Sequence, residues 1–214
     1  MRRAMLIFLS LFVALVGWST VCADDGFYVI PAMRGNYAPV PKTGQTVPHD
    51  QINIPPQDDG ALKKGVAWPI PRFTDNNNGT VTDKLTGLIW MKNANAFGMR
   101  TWADAMGDAY NLHSDSIPGL TDGSKEGDWR LPNVRELQSL VDYKFYSPSL
   151  PNTLGTGQWV EDNPFQGVQS SVYWSSTTYV HDITNAWNVT FGAGPVNYNF
   201  MSTHYYVWCV RGGP

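Results

Sequence analysis

The last third of the chain consists of short runs in which apolar and polar residues alternate, separated by turn sequences. The runs cover 172–180, 187–191, 196–200 and 205–211, with Gly192-Ala193-Gly194 between the second and the third. Alternation with a period of two places apolar side chains on one face of a strand and polar side chains on the other. Such closely spaced strands pair antiparallel, often with one face in solvent. The pattern predicts an antiparallel or mixed sheet that the run 205–211 completes.

A second group of strands precedes this sheet. Asn78-Gly79 separates two β-forming segments, 72–75 and 80–83, and a compact apolar run follows them. An Asn-Gly pair between β-forming residues favours a hairpin, because both central residues of the turn need positive φ. We therefore predict a β-meander over residues 72–92.

Two helical patterns lie between the strand-rich regions. Thr101 and Asn133 are good N-caps, and an acidic residue follows each of them three positions later. Apolar residues at helical spacing then predict helices near 101–113 and 133–143. A proline-containing connection over 144–170 is predicted to be irregular, and loops of that length are uncommon unless they are functional or disordered. The fold class expected is α+β, an antiparallel or mixed sheet with two helices and long loops. The buried face of the first helix is expected to comprise Trp102, Ala105, Met106, Ala109 and Tyr110.

Residues 1–23 have the pattern of a secretory signal peptide. Arg2 and Arg3 precede an apolar run, and the segment ends at Ala23 with small residues at the positions that signal peptidase accepts. An uncleaved N-terminal anchor is the alternative, and lipid attachment at Cys22 is disfavoured by the bulky residue before it. Cleavage predicts a protein that is secreted, periplasmic or on the cell surface, with no later segment apolar and long enough to span a membrane.

Prolines punctuate the next segment, residues 24–69. Proline removes a backbone donor and fixes φ, so a regular helix or a central strand is not expected there. We interpret the segment as an extended N-terminal arm that lies over the following domain, 70–214, or links that domain to something else. A disordered tether is the alternative.

The composition after cleavage excludes several classes of protein. Cys209 is then the only cysteine, and one thiol can form neither an internal disulfide nor a thiolate zinc site. Loss of Arg2 and Arg3, with all 18 acidic residues kept, takes the formal net charge from −3 to −5, which disfavours a strongly basic nucleic-acid binder. Neither a histidine pair with zinc spacing nor a complete calcium loop is found, so no metal and no cofactor is predicted.

Aromatic residues are the most abundant candidates for ligand contacts. Exposed rings stack on the apolar faces of sugars while nearby amides bind the hydroxyls, although the same rings also suit a β-rich core. We interpret five tryptophans on apolar faces as core residues: Trp90, Trp102, Trp129, Trp174 and Trp187. Five further aromatic residues lie near loops or strand ends: Trp159, Tyr179, Tyr198, Tyr205 and Trp208.

Loops supported by a rigid sheet are the usual place for binding residues. We therefore name Trp159, Tyr179, His181, Asp182 and His204 as candidate ligand-binding residues. The two aromatic residues would stack on a ligand, and the three polar residues would bond its polar groups. No nucleophile motif is present, so no catalytic residue is named.

The chain also carries separate short motifs in a fixed order. They lie at 43–46, 65–69, 72–90, 101–105, 128–137, 173–176 and 210–213, and include Asp128-Trp129-Arg130-Leu131-Pro132 and Tyr173-Trp174-Ser175-Ser176. From about residue 65 to 213 the motifs resemble the Lcl C-terminal domain family, which takes its name from a collagen-like bacterial surface adhesin. The resemblance implies a C-type-lectin-like fold and a bacterial envelope or secreted location.

The ligand of that adhesin does not transfer simply to this chain. The adhesin binds sulfated host polysaccharides, and an anionic polymer requires clustered Lys and Arg. Here the basic residues are dispersed and the balance is acidic, and Lys63-Lys64 is the only adjacent basic pair after cleavage. The ligand therefore stays open between glycans and other envelope partners.

Two family motifs need separate interpretation. Family members often carry a cysteine on the first helix that could pair with one on the last strand, but here Ala109 stands at the helix position and only Cys209 remains. Cys209 is then a buried, inert thiol or pairs between chains. In Asp128-Trp129-Arg130 we interpret Trp129 as core and Arg130 as the partner of a buried acid or carbonyl, with an anionic sugar on Arg130 as the alternative.

Three functions compete at this level. The first is a secreted or cell-envelope binding module for glycans or another surface partner, without catalysis. The second is a purely structural module of a larger surface assembly, attached by the proline-rich arm. The third is an enzyme like the formylglycine-generating oxidases, which use a related fold, but their chemistry needs a pair of cysteines that Cys209 alone cannot supply.

Overall fold

The computed structural model describes residues 40–48 and 57–212. These residues belong to one unit of the chain, which spans 35–214. The predicted signal peptide over 1–23 and much of the predicted arm lie outside the described residues. In the part that is described, three helices and nine strands confirm the α+β class. The helices are α1 (Asp59–Leu62), α2 (Trp102–Asn111) and α3 (Val134–Ser139), and the strands are β1 (Phe73–Asp75), β2 (Thr80–Asp83), β3 (Ile89–Met91), β4 (Met99–Arg100), β5 (Val172–Thr178), β6 (Asn185–Thr190), β7 (Val196–Phe200), β8 (Tyr205–Tyr206) and β9 (Val210–Arg211).

The first sheet has the strand order β1-β2-β3-β9, and all of its pairs are antiparallel. Its first three strands confirm the meander predicted over 72–92. The hairpin turn differs in detail, because the residues with positive φ are Asn77 (57°) and Gly79 (84°) rather than two adjacent residues. Side chains form this longer turn: Asp75 accepts a hydrogen bond from the Asn77 N–H, and Asn78 accepts one from the Thr80 N–H.

The second sheet has the strand order β4-β8-β5-β6-β7. Strands β5, β6 and β7 form the antiparallel meander that the alternation predicts, with Trp187 opposite Tyr198 and Val189 opposite Val196. Strand β8 pairs with β4 and lies parallel to β5, and β7 is left at the edge.

The prediction that 205–211 forms one strand of this sheet is wrong. The segment divides, so that β8 joins the second sheet while β9 pairs with β3 in the first. Between the two strands, Val207, Trp208 and Cys209 are buried on both sides because the chain passes through the core there. An alternating sequence does not reveal this change of sheet, since each short strand still alternates.

Both predicted helices are confirmed, and both are shorter than expected. Thr101 caps α2 by accepting a hydrogen bond from the Asp104 N–H, and Asn133 and Glu136 form a capping box at α3. On α2, Ala105 and Ala109 are fully buried and Trp102 packs against the core. Met106 and Tyr110 are exposed, so the predicted buried face is too wide.

Trp208 lies at the centre of the core. Its indole N–H donates to the Met91 carbonyl at 2.8 Å, and its ring lies 4.9–5.7 Å from four other aromatic rings. These rings belong to Trp90 of β3, Tyr173 of β5, Phe165 and Phe191. The core therefore fills the space between elements of both sheets.

The connection over 144–170 contains neither a helix nor a strand, as predicted. It is nevertheless well packed, because Leu150 and Phe165 are fully buried and the Ser149 N–H donates to the Phe191 carbonyl. The length of this segment is thus partly explained by the core residues that it supplies.

The described parts of the arm contact the domain. The Thr43 carbonyl accepts a hydrogen bond from the Tyr143 N–H of the domain, and within the arm the Lys42 carbonyl accepts one from the Trp68 indole. The four-residue helix α1 lies in the arm, where no helix was predicted. Asp58 caps α1 by accepting a bond from the Ala61 N–H, a local interaction that allows one helical turn despite the surrounding prolines. Within residues 40–48 and 57–212, no helix has the length and apolar character needed to cross a membrane.

Candidate functional site

Three aromatic side chains form a group on one face of the second sheet, which we call the aromatic cluster: Tyr179, Trp187 and Tyr198. The rings of Tyr179 and Tyr198 are stacked, with centroids 4.0 Å apart and planes at 10°. Trp187 meets both rings edge-on at 5.6 Å. Tyr198 is 47% exposed, so the cluster reaches the surface.

The meander explains why these three residues meet. Trp187 and Tyr198 are partners in the register of β6 and β7, and side chains of paired residues project from the same face. Tyr179 directly follows β5, and its N–H donates to the Asn185 carbonyl at 2.9 Å. That hydrogen bond closes the β5–β6 loop and brings the Tyr179 ring over Tyr198.

A cavity of about 320 Å³ opens beside the aromatic cluster. Its polar groups are phenols, amides, one imidazole and one carboxylate, and no Lys or Arg is found among the described residues around it. It is lined by Tyr179, His181, Asp182, Asn185, Tyr198, Asn199 and Phe200. We call this cavity, together with the aromatic cluster, the tyrosine site.

Asp182 is the carboxylate of the tyrosine site. Its Oδ1 accepts hydrogen bonds from the Thr184 hydroxyl at 2.7 Å and from the Thr184 N–H at 3.0 Å. These bonds hold the pKa of Asp182 below its usual value, because they favour the charged form. The exposed side chain therefore carries a negative charge at neutral pH.

Tyr179 contributes a neutral phenol to the same site. Desolvation raises the pKa of Tyr179, and the neighbouring Tyr198 and Asp182 raise it further. The hydroxyl therefore stays protonated at neutral pH and can donate a hydrogen bond.

A pair of amides supports the edge strand at this site. Asn188 is almost fully buried, and its Nδ2 donates to Oδ1 of Asn199 at 3.0 Å. Asn199 alternates with Tyr198 along β7, so this amide pair lies on the opposite face of the sheet from the ring stack and holds β7 against β6.

The structure brings together three of the five candidate residues named from the sequence. Tyr179, His181 and Asp182 line one cavity, and His181 lies edge-on to Tyr179 at 6.0 Å. Trp159 packs against the core elsewhere, where its indole donates to the Phe165 carbonyl at 3.1 Å. His204 is exposed on the turn between β7 and β8 and does not line this cavity.

Sequence reasoning left out other residues of the tyrosine site. Trp187 was expected in the core, but it is half-buried and belongs to the aromatic cluster. Tyr198 was grouped among loop aromatics without being named as a site residue. The signal that would have found both is the register of the β6–β7 hairpin, which sets them opposite each other. Trp208, expected near a strand end, is fully buried.

The Asp128-Trp129-Arg130 motif has a structural role. Trp129 is buried, and its indole donates to the Ser124 hydroxyl at 2.9 Å. Arg130 donates to both carboxylate oxygens of Glu136, at 2.7 and 2.8 Å. Glu136 is the capping-box residue of α3, so Arg130 fixes the helix start. We expected Arg130 to pair with a buried acid or a carbonyl; it pairs with a partly exposed acid and also donates to the Leu131 carbonyl at 3.4 Å.

Two further cavities are found in the described structure. One of about 340 Å³ lies between the first hairpin and residues 117–120, where Lys92 and Asp75 form an ion pair at 2.7 Å. Burial raises the pKa of the Asp75 carboxyl, but hydrogen bonds from Lys92 and Asn77 outweigh it, and the net pKa is below its usual value. Another of about 320 Å³ lies between the arm and α3. Neither contains an exposed ring stack.

Two alternatives were predicted for Cys209, a buried thiol and a thiol that pairs between chains. In the structure Cys209 is fully buried. Burial raises the pKa of its thiol well above the usual value, with a further contribution from Asp108. A buried, protonated thiol cannot reach a second chain without local unfolding, which argues against the interchain disulfide. In residues 40–48 and 57–212 no group of three His, Cys, Asp or Glu side chains is arranged to hold a metal ion.

Comparison with known protein families gives a match. A family model described as the Lcl C-terminal domain matches residues 79–211, from the first hairpin to β9. The matched segment contains all of the tyrosine site. No curated protein matches the sequence.

Proposed function

The chain belongs to the Lcl C-terminal domain family, and on that basis we propose that it is a non-catalytic binding module that holds carbohydrate at the tyrosine site. We further propose that it acts outside the cytoplasm, as a secreted, periplasmic or cell-surface protein. The signal-like pattern of residues 1–23 supports this location. A C-type-lectin-like fold, which the family resemblance implies, is part of the proposal, and the α+β composition is compatible with it.

The observation that carries the proposal is the exposed ring stack. Aromatic rings are costly to leave in water, and Tyr198 is 47% exposed although it is held rigidly by Tyr179 and Trp187. A fixed and partly exposed ring presents an apolar face without a further loss of side-chain entropy on binding. The apolar face of a sugar ring matches such a surface.

The polar groups around the ring stack suit sugar hydroxyls. Asn185, on the same face as Trp187 and Tyr198, offers an amide, and the protonated Tyr179 hydroxyl offers a donor. Ligand sites commonly combine apolar walls with a few polar groups that fix orientation. The cavity is open and shallow, which favours weak binding at each site and multivalent display on a surface.

The chemistry of Cys209 supports a module without oxidase activity. Its thiol is fully buried and its raised pKa keeps it protonated. A reactive cysteine is instead exposed and has a lowered pKa. The proposal therefore gives Cys209 a packing role only.

A glycan array with the purified protein tests the proposal. Tyr198→Ala removes the exposed ring, and we expect the affinity for any bound glycan to fall about tenfold or more, as for the loss of a stacked aromatic contact. The matched control is Tyr146→Ala, which removes a 75% exposed ring outside the tyrosine site and should leave binding unchanged. Thermal unfolding of both variants checks that the fold is intact.

Two results would count against this function. If Tyr198→Ala binds a glycan as tightly as the wild type does, the glycan site lies elsewhere. If the wild-type protein binds nothing on a broad array, carbohydrate binding is wrong.

A second candidate function has its own support. Val180 is 91% exposed and Ile183 is 76% exposed on the β5–β6 loop, and Phe200 is exposed on the neighbouring edge strand. Exposed apolar groups of this kind favour a protein interface. The chain would then be a structural module of a larger surface assembly, and a Val180→Ser, Ile183→Ser double variant would lose the assembly while keeping glycan binding.

A further inference from the structure

Four of the five strands of the second sheet, β5 to β8, lie in a part of the sequence that lacks basic residues. Lys144 and Arg211 are consecutive among the Lys and Arg residues of the chain, so β5 to β8 and their connections contain neither residue type. The same stretch contains the acidic residues Glu161, Asp162 and Asp182. Any fixed positive charge near the tyrosine site must therefore come from another part of the chain.

Two basic residues on neighbouring elements are paired with acids, and Arg135 of α3 lines the separate cavity between the arm and α3. Arg100 of β4 lies at the opposite edge of the same sheet from β7 and donates to Asp108 at 2.7 Å. Arg211 of β9 is in the first sheet and lies 3.2 Å from Asp122. Neither residue lines the cavity.

The charge at the tyrosine site itself is negative. Asp182 is exposed and ionised, and no Lys or Arg is among the lining residues. An approaching sulfate or carboxylate would meet the Asp182 carboxylate in a cavity whose amides and phenols carry no compensating charge. Like charges in such a site repel, and nearby solvent only partly screens them.

We propose that the tyrosine site selects uncharged glycans, and that Asp182 excludes sulfated and uronate-containing ones. This inference rests on the proposed function and specifies its ligand class. Binding of a sulfated polysaccharide, which the family resemblance implies, needs clustered Lys and Arg that this sheet does not have. The tyrosine site thus discriminates by repulsion as well as by ring stacking.

Matched pairs of polysaccharides provide the test. Dextran and cello-oligosaccharides are each presented beside their chemically sulfated forms, at low ionic strength and at high ionic strength. We expect the wild-type protein to bind the neutral member of a recognised pair about twofold to fivefold more tightly, the size of one exposed charge interaction. High salt should narrow this preference, because screening weakens the repulsion.

Two isosteric variants separate the local charge from the total charge. Asp182→Asn keeps an Oδ1 that can accept from Thr184 and should reduce the preference for the neutral glycan by about twofold to fivefold, the size of one exposed charge interaction. Glu126→Gln removes the same charge from an exposed position outside the cavity and should leave the preference unchanged. Equal reductions in both variants, or none in Asp182→Asn, would overturn the role of Asp182.

The outcomes for the two proposals are distinct. Suppose that the wild-type protein binds the sulfated polysaccharide more tightly than the neutral one and that Tyr198→Ala abolishes this binding. The proposed selection of uncharged glycans is then wrong, while the proposed carbohydrate function stands. No binding of either member by the wild type, on these pairs and on a broad array, would overturn both.

Discussion

Arg72 and Asp83 form a buried ion pair that joins the first hairpin to the end of α3. Both side chains are fully buried, and the guanidinium donates to both Asp83 oxygens at 3.0 and 3.3 Å. The same Nη2 also donates to the Ser139 carbonyl at 2.6 Å. The guanidinium lies over the rings of Trp68 and Phe73, so the charge is enclosed by apolar groups as well as by its partner.

Removal of Arg72 is predicted to be costly. Arg72→Met leaves the Asp83 carboxylate buried without its cation, and we expect the free energy of unfolding to fall by about 3–5 kcal/mol. The matched control is Lys92→Met, which breaks the partly exposed pair with Asp75 and should cost less than about 1 kcal/mol. Urea unfolding measures the decrease in the free energy of unfolding for each variant. Similar decreases would contradict the claim that the buried ion pair matters more than the partly exposed one.

Individual residues were predicted unevenly by the sequence. Trp90, Trp129 and Trp174 are core residues as expected, because each lies on the apolar side of a local pattern. Trp208 was expected near a strand end but is fully buried, and Trp187 was expected in the core but is half-buried. The burial of each ring depends on which other elements lie over its face. Local alternation assigns a face to a side chain but does not say what covers that face.

At the scale of elements, the first hairpin and the loop over residues 117–121 form one packed unit. The Thr121 N–H donates to the Asn78 carbonyl at 2.9 Å. Gly79 has a φ of 84°, and a Cβ placed on it would lie 2.4 Å from the Gly119 carbonyl oxygen. The backbone of the loop therefore approaches the hairpin too closely for any side chain at Gly79.

Two alanine substitutions are predicted to separate this contact from backbone strain. Gly119→Ala adds a Cβ in open space at a similar φ of 83°, so its cost is the backbone strain alone, about 1–2 kcal/mol. Gly79→Ala adds the clash with the loop backbone and should be clearly more destabilising. Thermal unfolding compares the variants, and equal shifts in Tm would show that the hairpin and the loop separate easily.

Elements with local signals were predicted well. The caps at Thr101 and Asn133 fix the starts of α2 and α3, and the β6–β7 hairpin is determined by its own turn. The position of β8 beside β5 was not predicted, because this pairing joins segments that a short turn does not connect. Tyr179, His181 and Asp182 were found because they share one loop. The full tyrosine site needed the register of β6 and β7.

At the scale of the whole molecule, Trp208 connects the two sheets. Its ring contacts Trp90 of the first sheet and Tyr173 of the second. We predict that Trp208→Ala lowers the free energy of unfolding by about 3–5 kcal/mol and weakens both sheets together. Hydrogen exchange should show amides of β2 and β5 losing protection in the same step.

A second tryptophan gives the comparison for this prediction. Trp187→Ala removes a half-buried ring of the aromatic cluster. We expect it to lower the free energy of unfolding by less than Trp208→Ala does. If Trp208→Ala releases the amides of one sheet while those of the other stay protected, the sheets are independent units and the connecting role of Trp208 is wrong.

The division of residues 205–211 between the two sheets also determines when the domain can fold during synthesis. Trp208 donates to Met91, 117 positions earlier in the chain, and β9 completes a sheet whose other strands precede α2. A chain that emerges N-terminus first can form its separate hairpins early, but the second sheet lacks β8 until residue 206 has left the ribosome and the first sheet lacks β9 until residue 211 has done so. Until then β5 lacks β8 and β3 lacks β9, and each open strand edge is a place where a partly folded chain can pair with another chain.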